Sequence, residues 1–216
     1  MTGGARPLLL AFPFRGRWLV QNSPADRVPS HGTALYGTRY AIDFVAVDDR
    51  DRSAPSTWRT ALATERPERF TGFGAPILAP VAGTVAVAHD GEPDHEARRS
   101  LLSQVPYALT QTRRIRSGIE AVAGNHVVLR VTPAGPFVLL AHLRAGSVVV
   151  RPGDVVAIGQ TLGRCGNSGN STEPHVHVQA VDTIDWAAAR GLPIVFRALD
   201  GGAGRLPRNA EVVDAG

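Results

Sequence analysis

Glycine stands at 23 positions and proline at 16, and together they cut the chain into short segments. Proline removes a backbone donor and glycine weakens a helix interior, so a long helical bundle does not fit this spacing. The chain is instead built from turns and many short elements. With 216 residues, 44% of them hydrophobic, it is long enough to bury the core of one ordinary domain. Charged residues make up 19% and the formal net charge is +4, which excludes a highly charged disordered chain.

All 23 basic residues are Arg and no Lys occurs. Arg stays charged at any pH where proteins fold, which accounts for part of the high isoelectric point. The Arg residues are scattered, with only Arg113, Arg114 and Arg116 crowded together. A nucleic-acid binder concentrates its charge on one face, so no nucleic-acid partner is expected. Cys165 is alone, so no intrachain disulfide forms. Pro7 to Phe14 is too short an apolar run for a secretory leader, and Arg15 and Arg17 follow at once. No stretch approaches the roughly 18 apolar residues of a membrane span. Read as given, the chain is expected to be soluble and to carry no export signal.

Three stretches read as strands. Gly37 to Val47 is a β-prone run with one acidic residue, Asp43, inside it. Gly74 to Ala88 reads as two short strands broken at Ala79-Pro80 and Gly83. Asn125 to Val181 is nearly continuous strand and turn: His126 to Val131, Phe137 to Leu143, Val155 to Gly159, and His175 to Val181. Two polar excursions, at about 48–73 and 93–124, interrupt the pattern. The second reads as helical over Glu96 to Gln104 and around Ile115 to Val122. Leu192 to Arg197 reads as an edge strand. The fold expected is all-β, a mainly antiparallel sheet lining a groove, with a helical insertion. Residues 1–216 are read as one domain carrying both excursions.

His175 and His177 are the most informative polar pair. On a strand they share a face, about 6.6 Å apart along the chain, while Val176 and Val178 face the other way. Alone, such a pair reads as surface histidines on an edge. Its context is more telling. The small residues of Gly163 to Thr172 deliver the strand and are expected to leave open space in front of both rings. His142 ends the strand Val138 to Leu143 and is expected on the face of Val138 and Leu140. His95-Glu96-Ala97-Arg98-Arg99 begins like HExxH, but Arg99 stands where the second ligand belongs, so it reads as a charged helix surface. Cys165 reads as a small buried residue, and His126 as structural.

The stretch Gly166-Asn167-Ser168-Gly169-Asn170-Ser171-Thr172-Glu173-Pro174-His175-Val176-His177 resembles the signature of the lysostaphin-type (LytM-type) zinc endopeptidases that cut peptidoglycan. Ala141-His142-Leu143 resembles that family's other catalytic His motif. Pro76 to Val85 and Arg151 to Gln160 resemble its scaffold hairpins. The resemblance covers roughly residues 30 to 181, interrupted by the two excursions.

That resemblance implies one Zn2+ held by His31, Asp43 and His177. It leaves His142 and His175 as general base or oxyanion stabiliser. Tyr40-Ala41-Ile42-Asp43-Phe44 matches the Asp end of the family's ligand motif. His31 lies twelve positions before Asp43, whereas the family usually spaces them a few residues apart. A loop with Gly32 and Gly37 can fold back to close that gap. His89, His95 and His126 are the remaining histidines, and none lies in a matching motif. Three protein ligands and an open position suit a hydrolytic zinc site. The implied function is cleavage of peptide bonds in peptidoglycan stem peptides or cross-bridges. The alternatives are a silent binding or regulatory module on the same scaffold and an intracellular peptidase. The implied partner is a peptidoglycan peptide. The oligomeric state is left open, and the family points to the cell envelope or the outside of the cell.

Overall fold

The computed structural model describes residues 6–55, 64–98, 118–197 and 202–216. The fold is all-β, as expected, with thirteen strands among the described residues: β1 (Leu8–Leu10), β2 (Gly16–Gln21), β3 (Ile42–Ala46), β4 (Pro76–Leu78), β5 (Gly83–His89), β6 (Asn125–Arg130), β7 (Phe137–Leu143), β8 (Val155–Val156), β9 (Thr161–Arg164), β10 (Val176–Val181), β11 (Gly191–Leu192), β12 (Ile194–Phe196) and β13 (Val212–Ala215). A nine-stranded antiparallel sheet runs β13-β2-β3-β10-β7-β6-β5-β8, with β11 also paired to β10. Two small sheets, β4-β9 and β1-β12, complete the scaffold.

The centre of the sheet, β3, β10, β7 and β6, buries both faces. Trp18, Val20, Ile42, Phe44, Leu129, Val138, Leu140, Val176 and Val178 point to one side, into a core closed by Leu10, Ile77, Leu162 and Phe196. Aromatic packing is dense there. Phe14 stacks on Trp18 at 4.5 Å, Phe12 stacks on Phe196 at 4.8 Å, and Phe44 meets Phe12, Phe14 and Phe196 edge-on. The other face carries Val128, Leu139 and Ala141, covered by Ala123, Ile119 and Trp186. It also carries Asp43 and His177. This two-sided burial explains why β3 and β10 read as apolar runs broken by single polar residues.

Several expectations change. The strand expected from Gly37 starts only at Ile42, because residues 35–40 form a 3-10 turn with Tyr36 and Gly37 at positive φ. Glu96 to Arg98 is not helical. Ala97 pairs with Glu65 in an isolated antiparallel bridge, and both excursions share a small cluster of Ala54, Phe70 and Ala97. The rest of the helix expected over Glu96 to Gln104 lies outside the described residues. The helix expected around Ile115 to Val122 is a short one at Ile119–Ala123. Ile194–Phe196 is no exposed edge: it pairs in parallel with Leu8–Leu10 and buries Ile194 and Phe196. Among the described residues no helix is long and apolar enough to cross a membrane.

Candidate metal centre and active site

Register places the site. On the groove face Gln21 lies opposite Asp43, Asp43 opposite His177, and His177 opposite Ala141, so β2, β3, β10 and β7 form one row. His142 joins this row by an irregularity. Leu140 pairs with Val127 but Leu143 pairs with Asn125, so Ala141 and His142 together oppose His126. This bulge sets His142 at φ 63, a backbone region that non-glycine residues seldom enter. Simple alternation would have put His142 with Val138 and Leu140 in the core. The bulge turns it into the groove and gives that core position to Leu143.

His31, Asp43 and His177 form a group whose ligand atoms all lie within 4.8 Å of one another. His31 Nε2 is 3.0 Å from Asp43 Oδ2, and His177 Nδ1 is 2.9 Å from Asp43 Oδ1. The twelve-residue gap is closed by a folded loop. Ser30 N donates to Arg39 O at 3.1 Å, and Thr38 Oγ1 donates to Leu35 O at 2.9 Å. Asn22 Nδ2 adds a 2.7 Å hydrogen bond to Asp43 Oδ2. The other two candidates stand beside this group. The rings of His142 and His175 are 4.6 Å apart, and His175 Nε2 is 3.8 Å from Asp43 Oδ1. His89 and His126 stack on each other at 5.3 Å, and His95 bonds Gly169 O, so none of these three belongs to the group. Cys165 is fully buried, and burial pushes its thiol far up.

The four cleft histidines share one hydrogen-bonding plan. Each has one ring nitrogen facing an acceptor in the protein, which fixes the tautomer. His142 Nδ1 donates to Ser168 O at 3.0 Å and His175 Nδ1 donates to Glu173 O at 2.7 Å. His31 Nδ1 faces Ser30 Oγ at 3.0 Å, and that hydroxyl spends its own proton on Thr38 O. His177 Nε2 faces Gln179 Oε1 at 2.9 Å. In the neutral rings the remaining nitrogen is therefore a lone pair. For His31 and His177 those lone pairs face the oxygens of Asp43, an arrangement that repels unless a positive charge is shared between them. A second proton on a ring supplies that charge, and so does a cation held by all three residues. The donor set, two neutral imidazoles and a carboxylate, is one that zinc accepts, and the outer-shell acceptors are of the kind that orient metal-bound histidines.

The electrostatics agree. Burial alone raises the Asp43 carboxyl, but the neighbouring charges of His31 and His175 and hydrogen bonds from His177 and His31 outweigh it. The group ends well below the usual carboxylate range. Burial lowers His177, yet hydrogen bonding to Asp43 and its charge carry the ring above its ordinary value. Burial, then the charges of His175 and His177, hold His142 well below its ordinary value, so its ring is neutral with a free Nε2 lone pair.

The site opens into a cleft of about 400 Å³ that also meets Arg27, Tyr36, Ile119, Val122, Asn170 and Glu173. The small residues of the loop before β10 do not supply that space. A Cβ on Gly166 would sit 2.3 Å from Arg144 Cα, and one on Gly169 would sit 2.4 Å from Gly124 N. Their smallness lets backbones pack against each other beneath the histidines, and the open space lies further along, at Asn170 and Glu173. Asn22, Ser30 and Gln179 were not singled out in the sequence. Only Gln179 carried a signal, its place two residues after His177 on the same strand face.

Residues 107–186 match the family model described as Peptidase family M23. His142, His175 and His177 lie inside that segment, and His31 and Asp43 precede it. No curated protein matches the chain. Among solved structures, the catalytic domain of the antimicrobial peptidase lysostaphin from Staphylococcus simulans is 18% identical, covering 70% of this chain and 74% of that one, with a TM-score of 0.40. A mutant catalytic domain of the prophage-encoded M23 protein EnpA from Enterococcus faecalis is 21% identical, covering 74% and 78%, with a TM-score of 0.40. A zinc-containing peptidase from Vibrio cholerae is 17% identical, covering 65% and 46%, with a TM-score of 0.34. Through the segment that carries three of its four cleft histidines, the chain is similar to peptidase family M23.

Proposed function

We propose that the protein is a zinc-dependent endopeptidase that hydrolyses peptide bonds in peptidoglycan stem peptides or cross-bridges, with residues 1–216 acting as one peptidase domain. The observation that carries this reading is the convergence of five side chains on one cleft. His31, Asp43 and His177 supply a three-ligand set, and His142 and His175 stand free beside it. The family match and the motif resemblance support a peptide of the cell wall as substrate.

His31 Nε2, an oxygen of Asp43 and His177 Nδ1 would hold the metal. When bound, zinc supplies Lewis acidity and a water whose pKa falls to about 7. The remaining chemistry belongs to the chain. The neutral His142 accepts a proton at Nε2, and its Nδ1–H, held by Ser168 O, fixes the ring for that transfer. His175 is held in the same way by Glu173 O. Once protonated, either ring donates from Nε2 to an oxygen that gains negative charge. The apolar wall of Ile119 and Val122 and the polar Asn170 and Glu173 line the path along which a peptide would lie.

The test is zinc content by elemental analysis for the wild type, His31→Ala and His142→Ala, with digestion of purified peptidoglycan followed by mass spectrometry. About one zinc per chain is expected in the wild type and in His142→Ala, and none in His31→Ala. Digestion is expected in the wild type, absent in His31→Ala and slowed about 10²–10⁴-fold in His142→Ala. A folded wild type that takes up no zinc would instead be the silent binding module.

A further inference from the structure

The loop between His31 and Asp43 does more than close a gap. Its turn at Tyr36 (φ 54) and Gly37 (φ 78) lies against β10 so closely that a Cβ on Gly37 would meet Val181 Cγ1 at 2.3 Å. There the Tyr36 carbonyl reaches Gln179, a side chain that is 1% exposed. Gln179 Nε2 donates to Tyr36 O at 2.8 Å, and Gln179 Oε1 faces His177 Nε2 at 2.9 Å. A carbonyl can only accept, so the amide must turn its NH2 group to Tyr36 and its oxygen to His177. His177 is thereby a donor at Nε2, which leaves Nδ1 as the nitrogen that faces Asp43. The same loop fixes the other ring, because Ser30 Oγ, which meets His31 Nδ1, is itself tied to Thr38 O.

We propose that Gln179 is a positioning residue for a divalent metal ion. It locks His177 in the tautomer that presents Nδ1, and it ties that ring to the turn at Tyr36, so one loop sets both imidazole ligands. The link rests on the zinc reading above. It explains how a twelve-residue separation of His31 and Asp43 is compatible with a formed site. The inserted residues are clamped to β10 through Gln179 and are not a slack tether.

The experiment compares Gln179→Leu and Gln179→Glu with the wild type, using three readouts. These are zinc affinity by competition with a chromophoric chelator, the His177 tautomer by 15N NMR of the metal-free protein at a pH where the ring is neutral, and amide exchange at Gly37 and Ala41. Gln179→Leu is expected to bind zinc about 10–100-fold more weakly, the usual loss when an outer-shell partner is removed. Its His177 should move to a tautomer mixture, and its loop amides should exchange faster. Gln179→Glu keeps the acceptor but loses the donor. It should therefore keep the tautomer and near wild-type affinity while its loop amides still exchange faster. A merely structural role would lower stability without moving the tautomer. Wild-type zinc affinity in Gln179→Leu, or weakened affinity with an unchanged tautomer, overturns the proposal. His177→Ala in the same titration separates the two levels: zinc retained there overturns the ligand assignment itself.

Discussion

Replacing Gly124 by Ala tests whether backbone packing beneath the site is what positions His142. Gly124 follows the helix Ile119–Ala123 at φ 60 and ψ −143, a region open to glycine and costly for other residues. A Cβ there would lie 2.4 Å from Ser168 Oγ and 2.6 Å from Gly169 N. Backbone strain of this kind costs about 1–3 kcal/mol. The clash also displaces Ser168, whose hydroxyl accepts from Asn125 N at 3.0 Å and donates to Leu143 O at 2.8 Å. Buried hydrogen bonds contribute about 0.5–1.5 kcal/mol each, so the expected total is about 2–6 kcal/mol. Gly159→Ala is the control. Gly159 also has positive φ (+82), but a Cβ there meets nothing within 4 Å, so only strain of about 1–2 kcal/mol is expected. Urea unfolding of both variants measures the difference. Because Ser168 O holds His142 Nδ1, Gly124→Ala should also lose activity at temperatures where it is still folded. Equal destabilisation of the two variants would refute the packing argument.

Two further outcomes follow from the core and from the charged groups. Phe44→Ala, which removes a fully buried ring from the aromatic cluster directly below Asp43, should cost about 3–5 kcal/mol in urea unfolding, and a loss under about 1.5 kcal/mol would show that the cluster closes over the gap. Chelator-treated protein should be most stable near pH 6.5. His177 is raised above 6.5, so its contribution is complete below that pH and lost as pH rises through its folded value; His142 is lowered, so its contribution is complete above 6.5 and lost as pH falls. Melting temperatures from pH 5 to 8 with and without zinc check this. Zinc should abolish the alkaline loss, and a metal-free melting temperature that climbs from pH 6.5 to 8 would contradict the assignment.

The central strands are encoded locally. The strands around Asp43, Phe137 to Leu143 and His175 to Val181 follow from β-branched and aromatic runs bounded by turn residues, and all three belong to the central sheet. The parts that escaped are long-range. Leu8–Leu10 looked like an isolated apolar run, but its partner is Ile194–Phe196, far along the chain, and neither segment encodes that register alone. The same holds for Gly16–Gln21 paired with Val212–Ala215. The direction of His142 escaped because a one-residue bulge reverses every inference from alternation, and the bulge is set by the partner strand. The glycines before β10 were read as open space because composition shows that a side chain is small, not whether solvent or backbone fills the room it leaves.

The same distinction governs the site. Its inner residues are histidines and an aspartate in short motifs, so their chemistry is visible in the sequence. Their orientation depends on Ser168 O, Glu173 O, Ser30 Oγ and Gln179 Oε1. Two of these acceptors are backbone carbonyls, which any residue type supplies, so no pattern of side chains could have announced them. The other two are tied to the loop between His31 and Asp43, through Thr38 O and Tyr36 O. The long spacing between His31 and Asp43 is thus where the chain places the groups that orient the outer nitrogens of His31 and His177. Lengthening this loop within the turn that carries Tyr36 O and Thr38 O should therefore disturb both imidazoles at once, read as weaker zinc binding in a chelator competition.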